Sequence, residues 1–110
     1  MPRPPRVEFC GALFHVMARG NRREQIFVDD DDRVAFLSRL IIAKGRHGVE
    51  VHAFVLMPNH VHLIARRRHS EMGRFMACVL SPFALRFNRK RGTVGHVFQG
   101  RYKGLICEDE

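Results

Sequence analysis

Hydrophobic and polar positions along this chain switch between a period of two and a period of about 3.6, and the switches predict six elements. From Ala12 to Arg19 the residues alternate. Ala12, Phe14, Val16 and Ala18 fall on one face, and Leu13, His15, Met17 and Arg19 on the other. That is a half-buried strand, ended by Gly20-Asn21. A helical stripe follows, with Val34, Leu37 and Ile41 flanked by Phe36 and Leu40. Asp29 to Asp32 precede it, and carboxylates there would cap its free N–H groups and suit its dipole; a metal site is the lesser use of such a run. Gly45 and Gly48 close the helix.

Val49 to Leu56 returns to alternation, with Val49, Val51, Ala53 and Val55 on one face. Met57-Pro58-Asn59-His60 makes a compact turn, and His60 to Arg66 runs back as a third strand. With Pro58-Asn59 at the turn, His62 falls opposite Val55 and Ile64 opposite Ala53, which puts His52 on the other face from His62. A second helix is predicted from about Ser70 to Arg89, carried by Met72, Phe75, Met76, Val79, Phe83 and Phe87. Pro82 should kink or split it, because proline lacks the N–H that would bond the Cys78 carbonyl. Gly95 to Lys103 reads as a fourth strand broken at Gly100, with Leu105-Ile106-Cys107 as a short continuation. The order strand, helix, strand, strand, helix, strand predicts an α+β fold, a ferredoxin-like antiparallel sheet with its helices on one face.

Composition adds a partner. The chain has 110 residues, enough for one core, so residues 1–110 read as a single domain with residues 1–8 as an extended, proline-rich arm. Its formal charge is +8, from 19 Lys and Arg against 11 Asp and Glu. Only Lys44, Lys90 and Lys103 are lysines, and guanidinium forks suit bidentate phosphate contact, so the expected partner is a polyanion. The runs Arg66-Arg67-Arg68 and Arg89-Lys90-Arg91 carry much of that charge. Some of the second run also opposes the negative end of a helix dipole. No clean amphipathic basic helix favours a membrane instead. Cys10, Cys78 and Cys107 are odd in number and far apart, which fits free thiols in a reducing compartment. With no signal-like or membrane-spanning stretch, a soluble cytoplasmic protein is expected.

The candidate chemistry lies in His60-Val61-His62. Residues two apart on a strand share a face, about 6.6 Å apart at the backbone, so both imidazoles can converge on one divalent ion. Taken alone, such a pair is more often two satisfied or exposed histidines than a metal site.

The surrounding motifs narrow the choice. Pro5-Arg6, Phe9-Cys10-Gly11-Ala12-Leu13-Phe14-His15-Val16 and Arg19-Gly20-Asn21 open the chain. Leu56-Met57-Pro58-Asn59-His60-Val61-His62-Leu63, Phe87-Asn88-Arg89 and Gly95-His96-Val97-Phe98-Gln99-Gly100-Arg101-Tyr102-Lys103 follow in order. Together they resemble REP-associated tyrosine transposases, of the single-tyrosine class named for its His-hydrophobic-His motif. The resemblance implies that His60 and His62 hold Mg²⁺ or Mn²⁺ at a scissile phosphate of single-stranded or hairpin DNA. In the family a tyrosine then attacks, leaving a 5′-phosphotyrosine link and a free 3′-hydroxyl. It also assigns DNA contact to Arg19, Asn21, Arg22, Arg66, Arg67, Arg68, Arg86, Asn88, Arg89, Lys90, Arg91, Gln99, Arg101 and Lys103.

One departure qualifies this. The family's nucleophile sits on a helix downstream of the last matched strand, and this sequence stops at Glu110, about where that helix should begin. Tyr102 is its one tyrosine, and it matches a non-nucleophilic position in the family. The expectation is a truncated transposase domain that binds DNA and metal without its own nucleophile, with a homodimer left open. Two alternatives stand beside it. One is an active enzyme using Tyr102; the other is a non-catalytic ferredoxin-like module that stacks RNA or DNA bases on Phe14, Phe54 or Phe98.

Overall fold

A computed structural model describes residues 13–67 and 71–106. The elements are β1 (Leu13–Arg19), a short 3-10 turn (Asn21–Arg23), α1 (Asp30–His47), β2 (Val49–Met57), β3 (His60–Arg67), α2 (Met72–Arg91) and β4 (Lys103–Ile106). The strands form one antiparallel sheet in the order β2-β3-β1-β4. This is the ferredoxin-like arrangement that the element order predicts, with both helices on one face. The expected strand start at Ala12, the proline arm, Cys10, Arg68, Ser70 and Cys107 lie outside the described residues.

Alternation builds the two central strands. Phe14, Val16 and Ala18 of β1 and Val61, Leu63 and Ala65 of β3 are all buried, while the residues between them stay partly open. The core fills the space between that face and the helices. At its centre Phe27, Phe36 and Phe83 meet with ring centroids 5.4–5.6 Å apart, two of the three pairs edge to face, an arrangement their quadrupoles favour.

Four expectations are corrected. In α1 the buried face is Asp32, Phe36, Leu40 and Ala43, whereas Val34 and Ile41 are exposed. The stripe is rotated because a charged residue, Asp32, is drawn into the interior by partners on α2. In β2 a bulge at His52 breaks the alternation between Val51 and Ala53. Phe54 and Leu56 therefore lie opposite the buried Leu63 and Val61, and Ala53 and Val55 lie opposite Ile64 and His62. The opposite numbers expected for the hairpin hold, but the single-face reading of Val49, Val51, Ala53 and Val55 does not.

The third correction concerns Pro82, which does not split α2: the helix runs from Met72 to Arg91 with the proline inside it. The Cys78 carbonyl that Pro82 leaves without a helical donor accepts from Arg39 Nη2 of α1 at 3.3 Å. The neighbouring helix thus supplies the donor that the proline removes. Fourth, residues 95–102 are not a strand. They form an irregular segment tied to the sheet by one isolated bridge, Gly20 to Phe98, and β4 begins only at Lys103. Gly95 and Gly100 take φ of +99° and +58° there, where a side chain would be strained.

A buried ionic clasp fixes the helices. Asp29 caps α1, its side chain accepting from the Asp32 amide at 3.0 Å. The Asp32 carboxylate is fully buried and accepts from the Val28 amide, Arg86 Nη1 at 3.1 Å and Arg91 Nη2 at 2.5 Å. Lys90 donates to Asp29 at 2.8 Å. Burial raises the Asp32 carboxyl, but the Val28 amide and the two guanidinium groups outweigh it and hold the group down at about 2.

Candidate functional site

The open face of the sheet carries the histidines, and the hairpin between β2 and β3 positions them. Its turn is fastened to the segment after β1. Gly20 N donates to the Asn59 carbonyl at 2.8 Å, and Ile26 N and Phe27 N donate to the Pro58 carbonyl at 2.8 and 3.2 Å. Gly20 itself is demanded by space, since a Cβ there would lie 2.2 Å from the Glu24 carbonyl oxygen. Arg22 and Arg23 adopt φ of 55° and 60°, a left-handed conformation that costs a non-glycine residue roughly 1–2 kcal/mol. Backbone bonds on both sides hold this turn, including Asn21 N to the Val97 carbonyl at 2.8 Å.

The turn also decides the chemistry of His60. Asn59 Nδ2 donates to the Arg23 carbonyl at 3.2 Å, which orients the amide and leaves Asn59 Oδ1 to accept from His60 Nδ1 at 2.8 Å. With its proton on Nδ1, His60 has a free lone pair on Nε2, the form that binds a metal. His62 lies beside it, ring centroids 4.8 Å apart and nearly perpendicular.

A third histidine joins them, one the spacing of His60 and His62 gave no reason to include. His15 of β1 stacks on His62, centroids 5.1 Å apart at 29°, and its Nε2 lies 2.9 Å from His62 Nδ1. Its signal was there in the alternation of β1, which put His15 on the face left open, but pairing of β1 with β3 was needed to bring the two together. One proton serves the His15–His62 contact. When His62 donates it, His62 Nε2 keeps a lone pair; when His15 donates, that lone pair is lost. Burial, then the nearby charge of His60, His15 and Arg19, lowers the His62 pKa and favours its neutral form.

Two neighbouring imidazoles, each with its Nδ1 engaged in a hydrogen bond, suit a divalent ion as a partial ligand set. Among the described residues no group of three or more His, Cys, Asp or Glu is arranged to hold one. His52 takes no part: it sits in the bulge with Nε2 3.2 Å from Glu50.

The basic residues divide sharply. Arg86, Lys90 and Arg91 are held in the Asp29–Asp32 clasp. Asn88 closes α2, donating to the Gly95 carbonyl at 3.0 Å and accepting from Thr93 Oγ1 at 2.8 Å. Arg89 is exposed beside Pro82, Leu85, Arg86 and Lys90, on the helix layer and away from the histidines. Arg66 lies opposite Leu13 and Glu50, on the histidine face, whereas Arg67 lies opposite the buried Val49. Arg22 is exposed in the strained turn next to the half-buried Asn21. Arg19 stands directly opposite His60, and Gln99, Arg101 and Lys103 surround a cleft beside it.

Tyr102 lies elsewhere. It is buried in the core, with its hydroxyl 3.7 Å from where a Cβ on Gly73 of α2 would be. That is the helix side of the sheet, opposite the histidines. Of the three aromatic residues considered for base stacking, Phe14 is buried under the helices and Phe98 packs on Phe83 at 6.1 Å. Phe54 is half exposed, but opposite the buried Leu63.

The comparisons with known proteins agree with the ferredoxin-like fold. The family described as IS200-like transposases matches residues 9–110. The chain belongs to that family. Among solved structures it resembles a REP-associated tyrosine transposase bound to a REP hairpin, with a TM-score of 0.76 and 18% identity over 100% of this chain and 64% of that one. It also resembles a protein of Deinococcus radiodurans R1 described provisionally as a transposase, with a TM-score of 0.70 and 18% identity over 98% of this chain and 88% of that one. At these identities the likeness is one of fold. This chain thus spans less than two thirds of the REP-associated transposase's length. No curated sequence matches significantly. Among the described residues no helix is long and apolar enough to cross a membrane.

Proposed function

We propose that this chain binds single-stranded or hairpin DNA across the open face of its sheet, with His60 and His62 holding a Mg²⁺ or Mn²⁺ ion against one phosphodiester. The observation that carries the reading is the chain of bonds from Arg23 through Asn59 to His60, which fixes His60 in its metal-binding form on the face that also carries Arg19. When bound, the ion would supply Lewis-acid polarisation of the phosphate and stabilise developing charge. Family membership supports a DNA substrate, and the REP hairpin bound by the similar transposase supports a folded single strand.

Strand cleavage needs a nucleophile in line with that phosphate. Tyr102 is separated from the histidines by the thickness of the sheet, so binding without attack is the activity assigned to these residues. The burial of Phe14 and the packing of the half-buried Phe98 on Phe83 weigh against the alternative of a base-stacking module.

The test is binding of a fluorescent DNA hairpin with single-stranded flanks, with Mn²⁺ and with chelator. Binding should strengthen with Mn²⁺ and fall steeply with salt, and His60→Ala with His62→Ala should abolish the metal effect alone. Binding indifferent to metal and to both substitutions would overturn the metal assignment, and a flat salt response would overturn the DNA assignment. A covalent adduct that vanishes in Tyr102→Phe would overturn the assignment of Tyr102 to the core.

A further inference from the structure

Beside the histidines the sheet opens into a small cleft of about 70 Å³ lined by Met17, Arg19, Gln99, Arg101 and Lys103. Its floor is sheet: Met17 lies opposite His62 on one side and Lys103 on the other, and Arg19 lies opposite His60. Its wall is the irregular segment before β4, fastened by Gln99 N donating to the Arg19 carbonyl at 2.8 Å and by the bridge from Gly20 to Phe98. Two fixed pieces of backbone thus hold three cations and a carboxamide around one space.

Among the described residues no carboxylate lines that space or pairs with Arg19, Arg101 or Lys103. The contrast with Arg86, Lys90 and Arg91 is instructive, because there the fold supplies Asp29 and Asp32 as counter-charges. Three like charges gathered without a counter-charge repel one another, and an anion seated among them removes that cost. The volume is that of a few water molecules, which suits a phosphate group. Guanidinium and ammonium donors with a carboxamide N–H₂ match the acceptor oxygens of a phosphodiester.

We infer that this cleft is a subsite for one backbone phosphate of single-stranded DNA, next along the strand to the one at His60 and His62. It rests on the proposed DNA-binding function and sharpens it: the cleft sets where the strand crosses the sheet and which linkage reaches the histidines.

The experiment uses single-stranded DNA in which each phosphate in turn is replaced by a neutral methylphosphonate, bound to the wild-type chain and to Arg101→Gln/Lys103→Gln. Both positions are exposed, and thermal melting checks that the variant is folded. In the wild type, one substituted linkage should weaken binding severalfold. In the variant that same linkage should make no difference, while the remaining linkages keep their effect. The variant's dependence of log K on log salt should also be shallower, by about 0.7 for each phosphate it no longer neutralises. An unchanged linkage profile in the variant overturns the subsite while leaving DNA binding intact. Absence of DNA binding in the wild type overturns the proposed function and the subsite with it.

Discussion

His15 Nε2 lies 2.9 Å from His62 Nδ1, so the two rings share a single proton across neighbouring strands. The tautomer of His62 is therefore set partly by a residue 47 positions earlier in the chain. Replacing His15 with Phe keeps a ring to stack but removes the acceptor. Mn²⁺ affinity, read by electron paramagnetic resonance, should fall by roughly 10–100-fold, the usual cost of losing a partner that orients a ligand. Long-range ¹⁵N–¹H spectra of the metal-free protein should show the His62 proton redistributed between its two nitrogens. Unaltered spectra would mean that His15 does not set the tautomer.

Gly20 is a question of space rather than of backbone freedom. In Gly20→Ala the new methyl would meet the Glu24 carbonyl at 2.2 Å and Ile26 Cγ2 at 3.1 Å. The segment that fastens Asn59 must then shift. A loss of roughly 1–3 kcal/mol is expected, measured by denaturant unfolding, and metal binding should weaken with it.

Asp32 gives the fold an acid limit. Its carboxyl is depressed to about 2 from the ordinary 3.8, so the stabilisation is complete above the higher value and disappears as pH falls through the lower. The difference corresponds to about 2 kcal/mol. Asp32→Asn should lose this step between pH 4 and 2. At neutral pH it should also be less stable than the wild type, because Arg86 and Arg91 lose their shared counter-charge.

Arg39 and Pro82 form a compensating pair. Pro82→Ala restores an N–H for the Cys78 carbonyl, and Arg39→Met removes the donor that now serves it. Arg39→Met should cost about 1 kcal/mol or more in the wild type and clearly less in the Pro82→Ala background. Equal costs in a double-mutant cycle would show the pair to be uncoupled.

Much of this was legible in the sequence. The element order, the sheet, the register of Val55 with His62 and the paired histidines follow from local alternation and turn chemistry. What was not legible depends on distant partners. Asp32 turns inward because α2 brings Arg86 and Arg91 to it, which rotates α1 away from its most apolar stripe. Arg39 keeps α2 continuous through Pro82, and no local pattern announces that. The same limit applies to the charges: a run of arginines looks uniform in sequence, yet Arg86 and Arg91 are paired with Asp32 while, among the described residues, Arg19 and Arg101 meet no carboxylate. His15 was visible as a face but not as a neighbour.

The Asn59 side chain has a consequence reaching beyond the hairpin. Its amide has two unlike ends, one gripping the Arg23 carbonyl and the other receiving the His60 proton. If a half-turn of that amide exchanged the ends, His60 would have to move its proton to the outer nitrogen and could no longer coordinate. The strained turn at Arg22 and Arg23 is thus a distant guardian of one lone pair: a strand that pulled the Arg23 carbonyl away would release the amide whose orientation sets the His60 proton.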